Sequence, residues 1–204
     1  MSYARPGEPS ARWQAWVDTK PILSLFVVGI IATQLGTYFG YVFPAVGLPV
    51  LPWPLYNGIL GTTIADGFNG AVADPEGFAV SSNSFFVGHT LHFINGIVFA
   101  MLWGILFRED VARFIKSNIA RGVLYGVIMT IISAGLLVPY AYVPNQGYGP
   151  FLFDGPDGWK LPFGILIWHL IYGVFLGLLW NPTDGDARAA EAVTALPVER
   201  PVEV

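Results

Sequence analysis

The sequence predicts an all-α integral membrane protein with four membrane-spanning helices. Hydrophobic residues make up 54% of the 204-residue chain and charged residues only 12%, a balance that is unusual for a soluble domain of this size. Four stretches provide close to the roughly 20 apolar residues that cross a membrane as a helix, and none contains Asp, Glu, Lys or Arg. The predicted spans are residues 22–44, 85–107, 122–143 and 162–180.

The positions of Lys and Arg predict the orientation of these spans. The N-terminal segment 1–21 is polar, so it is not a cleavable signal peptide, and it carries three basic residues. Four more lie between the second and third spans and two lie in the polar tail 182–204, which puts nine of the ten basic residues on one side. The positive-inside rule makes that side cytoplasmic. We therefore expect both termini in the cytoplasm.

The two outer loops, residues 45–84 and 144–161, differ in character. The first contains "LYNGILGTTIADGFNGAVA", which is apolar enough to lie on the membrane surface or to fold into the mouth of the bundle as a short re-entrant or interfacial helix. The second contains "NQGYGPFLFDGPDGWK". Its aromatic and glycine-rich composition is typical of a surface at the lipid headgroups or against another protein.

The second and fourth spans contain an internal repeat. "HFINGIVFAMLW" begins at His92 and "HLIYGVFLGLLW" begins at His169, so the motifs match at an offset of 77 residues. The first and third spans agree more weakly. This pattern predicts a tandem repeat of a two-helix hairpin, with both copies crossing the membrane in the same direction. The two histidines are then expected at equal depth, in the outer part of the membrane.

Small residues recur at every fourth position along the spans. Such stripes allow helix backbones to approach closely inside a membrane, where hydrophobic attraction between helices is weak. They predict a tight four-helix bundle whose packing residues include Gly36, Gly40, Gly96, Ala100, Gly122, Gly126, Gly173 and Gly177.

Short motifs in all four spans carry a family resemblance. "GLP" follows the first span, "HF" with Gly and Phe marks the second, "RG" and "YG" open the third, and "HLIYG" with "LGLLW" marks the fourth. The pattern, over residues 22–180, resembles small four-helix bacterial inner-membrane proteins of unknown function. The resemblance implies the fold and leaves the activity open.

His92 and His169 are the candidate cofactor ligands. Two imidazoles at equal depth could ligate haem b or bacteriochlorophyll, or border a quinone. The interpretation we favour is that each imidazole only hydrogen-bonds across the bundle, and on it we expect no cofactor. His89 has Leu166 as its counterpart in the repeat and is not part of a symmetric site. It lacks a third ligand beside His92, so we predict no metal site.

No enzyme motif is present. The chain has no cysteine, which excludes thiolate chemistry and iron–sulfur clusters, and it has no P-loop, GxSxG or HExxH motif. The basic residues are too scattered for a nucleic-acid surface. We expect a non-catalytic accessory subunit of a larger respiratory, photosynthetic or copper-dependent oxidising complex, with other integral membrane subunits and lipids as partners. A small-solute transporter or channel is the other alternative. Four short spans could form a pore only as an oligomer, and the absence of Asp, Glu, Lys and Arg from the spans argues against ion-coupled transport.

Overall fold

The computed structural model describes residues 11–65, 82–142 and 146–182, and these residues form α-helices without any strand. Residues 1–10 and 183–204 of the predicted terminal segments lie outside the described residues. We number the six α-helices in chain order as α1 Ala11–Thr19, α2 Pro21–Val42, α3 Trp53–Ala65, α4 Ser82–Leu102, α5 Asn118–Ile132 and α6 Lys160–Leu179.

The four predicted spans are confirmed as helices that are long and apolar enough to cross a membrane. They cover Pro21–Val46, Phe86–Arg108, Asn118–Tyr142 and Lys160–Leu179. The prediction that every charge lies outside the spans is corrected at three span ends, which include Arg108, Arg121 and Lys160. Of these side chains Arg108 is the buried one, at only 3% exposed.

Two spans continue beyond their α-helix with π-helical geometry. Trp103–Val111 extends α4, and Ser133–Tyr142 extends α5 and contains Pro139. A proline inside an α-helix lacks the backbone N–H and clashes with the carbonyl four residues earlier, whereas a wider turn relieves that clash. The extension of α5 brings Ser133 and Tyr142 to the interior, where both side chains are buried.

The helices form a ring in which α2 packs against α4 and α6, and α5 packs against α6 and the extension of α4. The indole Nε1 of Trp180, just after α6, donates to the carbonyl of Pro21 at the start of α2 (3.0 Å). The Arg108 Nε donates to Asn118 Oδ1 (2.7 Å) and so joins the end of α4 to the start of α5. We call this end of the bundle the terminal face and the opposite end the loop face.

Arg108 holds three spans together at the terminal face. Its guanidinium also donates to Asn181 Oδ1 (3.1 Å) and lies 5.7 Å from the ring centroid of Trp180. The amide of Asn118 in turn donates to the carbonyls of Gly177 (2.7 Å) and Trp180 (2.8 Å). Hydrogen bonds to a charged group contribute about 1.5–3 kcal/mol, so these contacts stabilise the ends of α4 and α6 and the start of α5.

The polar N-terminal segment contains a helix that packs on the same face. Trp13 Nε1 donates to the carbonyl of Leu179 (2.7 Å), and the Gln14 amide donates to the carbonyl of Asn181 (2.9 Å). Val17 of α1 is fully buried. Both ends of the described chain therefore lie together at the terminal face.

The predicted packing residues of the second hairpin lie at the crossing of α5 and α6. A side chain on Gly122 would meet the backbone of Gly173, and one on Gly173 would meet Gly122. Gly126 faces the carbonyl of His169, and Gly177 faces the carbonyl of Asn118. Backbone therefore packs directly on backbone along this pair.

The other predicted packing residues face side chains of neighbouring helices. Gly96 of α4 faces Thr33, and Ala100 faces Gly29, so these two residues lie between α4 and α2. Gly36 and Gly40 of α2 instead leave a notch that the indole of Trp168 from α6 fills.

The first outer loop folds into the mouth of the bundle, one of the two arrangements that the sequence predicts. Helix α3 packs on α4, with the carbonyl of Pro54 against Gly88 and with Leu91 against Gly61. Its 13 residues rise about 20 Å, too little to cross a core of roughly 30 Å. It places Trp53 (4% exposed) and Asn57 (2% exposed) inside the bundle. Residues 66–81 of this loop lie outside the described residues.

Candidate functional site

A small cavity lies inside the loop-face half of the bundle, between α3, α4, α6 and the α5 span. Its volume is about 40 Å³, measured as the space open to the centres of water molecules. Polar and aromatic side chains dominate the wall, and none of the described residues there is Asp, Glu, Lys or Arg. The wall consists of Trp53, Asn57, His92, Asn95, Gly96, Phe99, Met129, Ser133, Leu137, Tyr142, Trp168, His169 and Tyr172.

Both ring nitrogens of His92 are hydrogen-bonded. Nε2 lies 2.7 Å from Thr37 Oγ1, and Nδ1 lies 3.3 Å from Asn57 Nδ2. The hydroxyl proton of Thr37 is donated to the carbonyl of Thr33 (2.8 Å), so Thr37 accepts from His92 and Nε2 carries the ring proton. Nδ1 then accepts from Asn57. His92 is a neutral imidazole with no free nitrogen.

Asn57 connects this histidine to helix α3 and to a second amide. Its Nδ2 also donates to the carbonyl of Trp53 (2.8 Å), and its Oδ1 accepts from Asn95 Nδ2 (2.5 Å). Both Asn57 protons and its oxygen are therefore engaged. Since α3, α4 and α2 each contribute a member of this chain of polar groups, it fixes α3 in the mouth of the bundle.

His169 is bonded differently. Its Nδ1 lies 2.9 Å from the carbonyl of Ile165, four residues earlier on α6, so Nδ1 carries the proton. Nε2, at the tip of the ring, therefore carries a lone pair. No donor in the described ranges forms a hydrogen bond to it. The ring lines the cavity and is only 6% exposed.

The indole of Trp168 contacts both imidazoles. Its ring centroid lies 5.9 Å from that of His92 and 5.1 Å from that of His169. The indole stacks on Tyr172 at 5.6 Å with an interplanar angle of 10°. A Cβ on Gly36 would lie 2.8 Å from this ring, so glycine there allows the indole its place.

The structure brings the two predicted ligands, His92 and His169, to one cavity. Their hydrogen bonds differ, although the internal repeat predicts equivalent positions. A haem or bacteriochlorophyll ligated by both histidines would require His92 to give up a hydrogen bond, and the present cavity holds only water-sized molecules. Ligation stays a prediction. His92 hydrogen-bonds across the bundle, as the interpretation we favour expects, whereas the bond of His169 lies within its own helix. Among the described residues no three His, Cys, Asp or Glu side chains form a group that could hold a metal ion.

Asn57, Ser133 and Trp168 were not identified as site residues by sequence reasoning. Asn57 carried a usable signal, since it is a polar residue inside the apolar run "LYNGIL" of the first outer loop. Ser133 and Trp168 carried no such signal, because a serine or a tryptophan in a span can face lipid, a neighbouring helix or a cavity, and the sequence does not distinguish these positions.

The second outer loop has an ordered and unusual backbone over residues 146–159. Phe151 (φ 58°) and Leu152 (φ 62°) both adopt the left-handed conformation, which is uncommon for side chains of this size. Leu152 is fully buried, whereas Phe151, Phe153 and Trp159 are exposed by 37%, 58% and 60%. We call residues 146–159 the aromatic loop.

Hydrogen bonds within the loop fix its shape, and a buried phenol of α3 lies beside it. The Leu152 N–H donates to the carbonyl of Gly149 (3.0 Å), and the Asp154 N–H donates to the carbonyl of Tyr148 (3.2 Å). Tyr56 of α3 lies near the loop, and burial raises the pKa of its phenol to about 12, with further contributions from the negative charges of Tyr148 and Asp157.

No family model, no curated protein and no solved structure matches this chain. The resemblance to small four-helix inner-membrane proteins stays a prediction.

Proposed function

We propose that this protein is a non-catalytic subunit of a larger bacterial membrane complex and that the aromatic loop contacts a neighbouring subunit. The backbone of this loop is the observation that carries the proposal. A non-glycine residue in a sparsely populated conformation costs about 1–3 kcal/mol and persists only where the surrounding structure enforces it. Two consecutive residues, Phe151 and Leu152, are held in this way.

The strained conformation buries one side chain and displays its neighbours. Leu152 is anchored in the interior, and Phe151 and Phe153 on either side of it are directed outward. Exposed aromatic residues on a fixed backbone bind a protein partner at low entropic cost, because little freedom is lost on binding. A subunit that contacts its complex through this loop requires no chemistry of its own.

The proposed orientation places the aromatic loop outside the cytoplasm. Among the described residues, six of the seven basic ones precede α2 or lie between α4 and the first turn of α5, on the side of the terminal face, and the positive-inside rule predicts that this side is the cytoplasmic side of a bacterial inner membrane. The docking of α1 beside the end of α6 supports the proposal that both termini share that side. A reporter that is active only in the cytoplasm should then be active when it is fused to the C-terminus.

The proposed tandem repeat has support from matching backbone contacts. Thr33 Oγ1 donates to the carbonyl of Gly29 (2.7 Å) in the first hairpin, and Thr130 Oγ1 donates to the carbonyl of Gly126 (2.8 Å) in the second. On this proposal the histidines are equivalent by descent, and the hydrogen bonds of His92 and His169 have diverged.

Site-specific photo-cross-linking tests the proposed contact. A photoreactive residue at position 153 in native membranes should yield a discrete adduct with one protein, identified by mass spectrometry. The matched control is position 86, because Phe86 is also an exposed aromatic residue (69%) near the loop face but lies on α4. Lipid adducts alone at position 153, or the same protein adducts at both positions, would contradict the proposal.

A further inference from the structure

We propose that the central cavity is a binding site for a small uncharged molecule that donates a hydrogen bond, held by His169 Nε2 and the hydroxyl of Ser133. The chemical class is that of water and ammonia: an N–H or O–H donor of one or two heavy atoms. The inference is independent of the aromatic loop, which lies outside this cavity.

The first step is an account of the polar groups that line the cavity. His92 and Asn57 have no hydrogen-bonding group left for an occupant. Both ring nitrogens of His92 are bonded, and so are the amide nitrogen and the amide oxygen of Asn57. The Tyr172 phenol donates to the carbonyl of Gly96 (2.6 Å). His169 Nε2 and the Ser133 hydroxyl have no hydrogen-bond partner among the residues described, although both side chains are more than nine-tenths buried. The indole N–H groups of Trp53 and Trp168 in the same wall are buried and also lack a partner there, so they add donors that a lone pair of the occupant could meet.

The second step concerns the direction of the hydrogen bond. The proton of His169 lies on Nδ1, where the carbonyl of Ile165 accepts it. Nε2 can therefore only accept, and an occupant must donate to it. The Ser133 hydroxyl can either donate or accept, so it complements a molecule that has both a proton and a lone pair.

The third step concerns charge and size. No formally charged residue is present among the described residues of the wall, and an ion moved into such a place is not compensated for the loss of its hydration. A water molecule needs about 10–15 Å³ on the measure that gives this cavity about 40 Å³, so there is room for about three such molecules. The wall therefore favours the neutral molecules ammonia and water over ammonium and hydronium.

Nitrogen NMR of the histidine side chains tests the proposal in the full-length protein in lipid nanodiscs. The chain has only three histidines, so ring ¹⁵N labelling gives few signals to assign. His92 should be protonated on Nε2 and His169 on Nδ1, which gives the two rings opposite tautomer signatures. Before any addition, magnetisation transfer from water to His169 Nε2 reports water as an occupant.

Ammonia is the second arm of the experiment. Added at a pH where the neutral base predominates, ammonia should shift the His169 Nε2 signal saturably and leave both His92 nitrogens unchanged. The same total concentration at a pH where ammonium predominates should give almost no shift. Water transfer without an ammonia response identifies water as the occupant and also supports the proposal.

Two serine variants provide the matched comparison. Ser133→Ala removes one hydrogen bond to the occupant and should weaken ammonia binding roughly 3- to 10-fold. Ser24→Ala should leave it unchanged, because Ser24 is equally buried but bonds to Pro21 and Trp180 at the terminal face. Equal effects of the two variants, a proton on His169 Nε2, or an Nε2 signal that responds to neither water nor ammonia would each overturn the proposal.

Discussion

The substitution Gly126→Ala should push helices α5 and α6 apart. A Cβ at this position would lie 2.5 Å from the carbonyl oxygen of His169, 2.9 Å from its carbonyl carbon and 3.2 Å from the Cα of Leu170. All three are backbone atoms, which cannot rotate out of the way as the end of a side chain can. The helices must separate, and the carbonyl that they move belongs to the cavity residue His169.

The free-energy cost of the Gly126→Ala clash can be isolated with a control substitution at a glycine of the opposing helix. Extra methyl volume in a well-packed interior costs about 1–3 kcal/mol, whereas the better helix propensity of alanine returns up to about 1 kcal/mol. A Cβ on Gly164 of α6 would have its nearest neighbours in Phe43 and Leu51, at 3.6–3.7 Å, which is ordinary contact. Gly164→Ala keeps the propensity gain without the clash. The difference between the two variants therefore isolates the clash, at about 1–3 kcal/mol.

The free energy of unfolding of both variants and the wild type can be measured by SDS titration of detergent-solubilised protein, followed by circular dichroism. Gly126→Ala should unfold at lower SDS than the wild type, and Gly164→Ala at equal or higher SDS. If the two variants agreed within about 0.5 kcal/mol, the backbone contact between α5 and α6 would be refuted.

Three further predictions concern the polar groups. His92→Leu removes two interhelical hydrogen bonds and should lower the free energy of unfolding by about 1 kcal/mol in the same SDS titration. His169→Leu removes one bond within its own helix and should lower it by less. The reverse order would contradict the assigned bonds. Arg108→Met should lower stability by about 1.5–3 kcal/mol through loss of charged hydrogen bonds, against less than about 0.5 kcal/mol for the exposed Lys116→Met, as measured by thermal unfolding; equal losses would exclude a structural role for the guanidinium. Tyr56 has a folded pKa of about 12 against a usual value of 10.0, so its contribution should be complete below pH 10 and should be lost as the pH rises to about 12. The stability of Tyr56→Phe should fall less over that window, and an unchanged pH profile would show that the phenol is not buried.

The spans could be predicted from sequence because a membrane imposes a length and a composition on each helix. The small-residue stripes likewise indicated close packing, and Gly122, Gly126, Gly173 and Gly177 do lie where α5 and α6 meet. In both cases the signal is local, since each residue reports on its own helix. Such signals do not identify the partner of a particular side chain.

The hydrogen bonds of the histidines could not be predicted for that reason. The expected bonds cross the bundle, whereas His169 bonds to the carbonyl of Ile165 on its own helix. The partners of His92 are Thr37 and Asn57, and Asn57 comes from a loop whose path depends on how α3 packs into the bundle mouth. Arg108 shows the same limitation. A basic residue at the end of a span is normally solvated, and only the positions of Asn118 and Trp180 in three dimensions reveal that this one is buried.

The attachment of α1 to the end of α6 has a consequence for biosynthesis. Trp13 leaves the ribosome before any of the four spans, yet the carbonyl that it binds belongs to Leu179, 166 residues later. Helix α1 must therefore wait at the membrane surface, without its final contacts, while all four spans are inserted. Its docking is a late event of assembly and occurs only in a chain that has been translated through α6. A protease that cleaves near Trp13 should thus distinguish truncated or misinserted chains from finished ones.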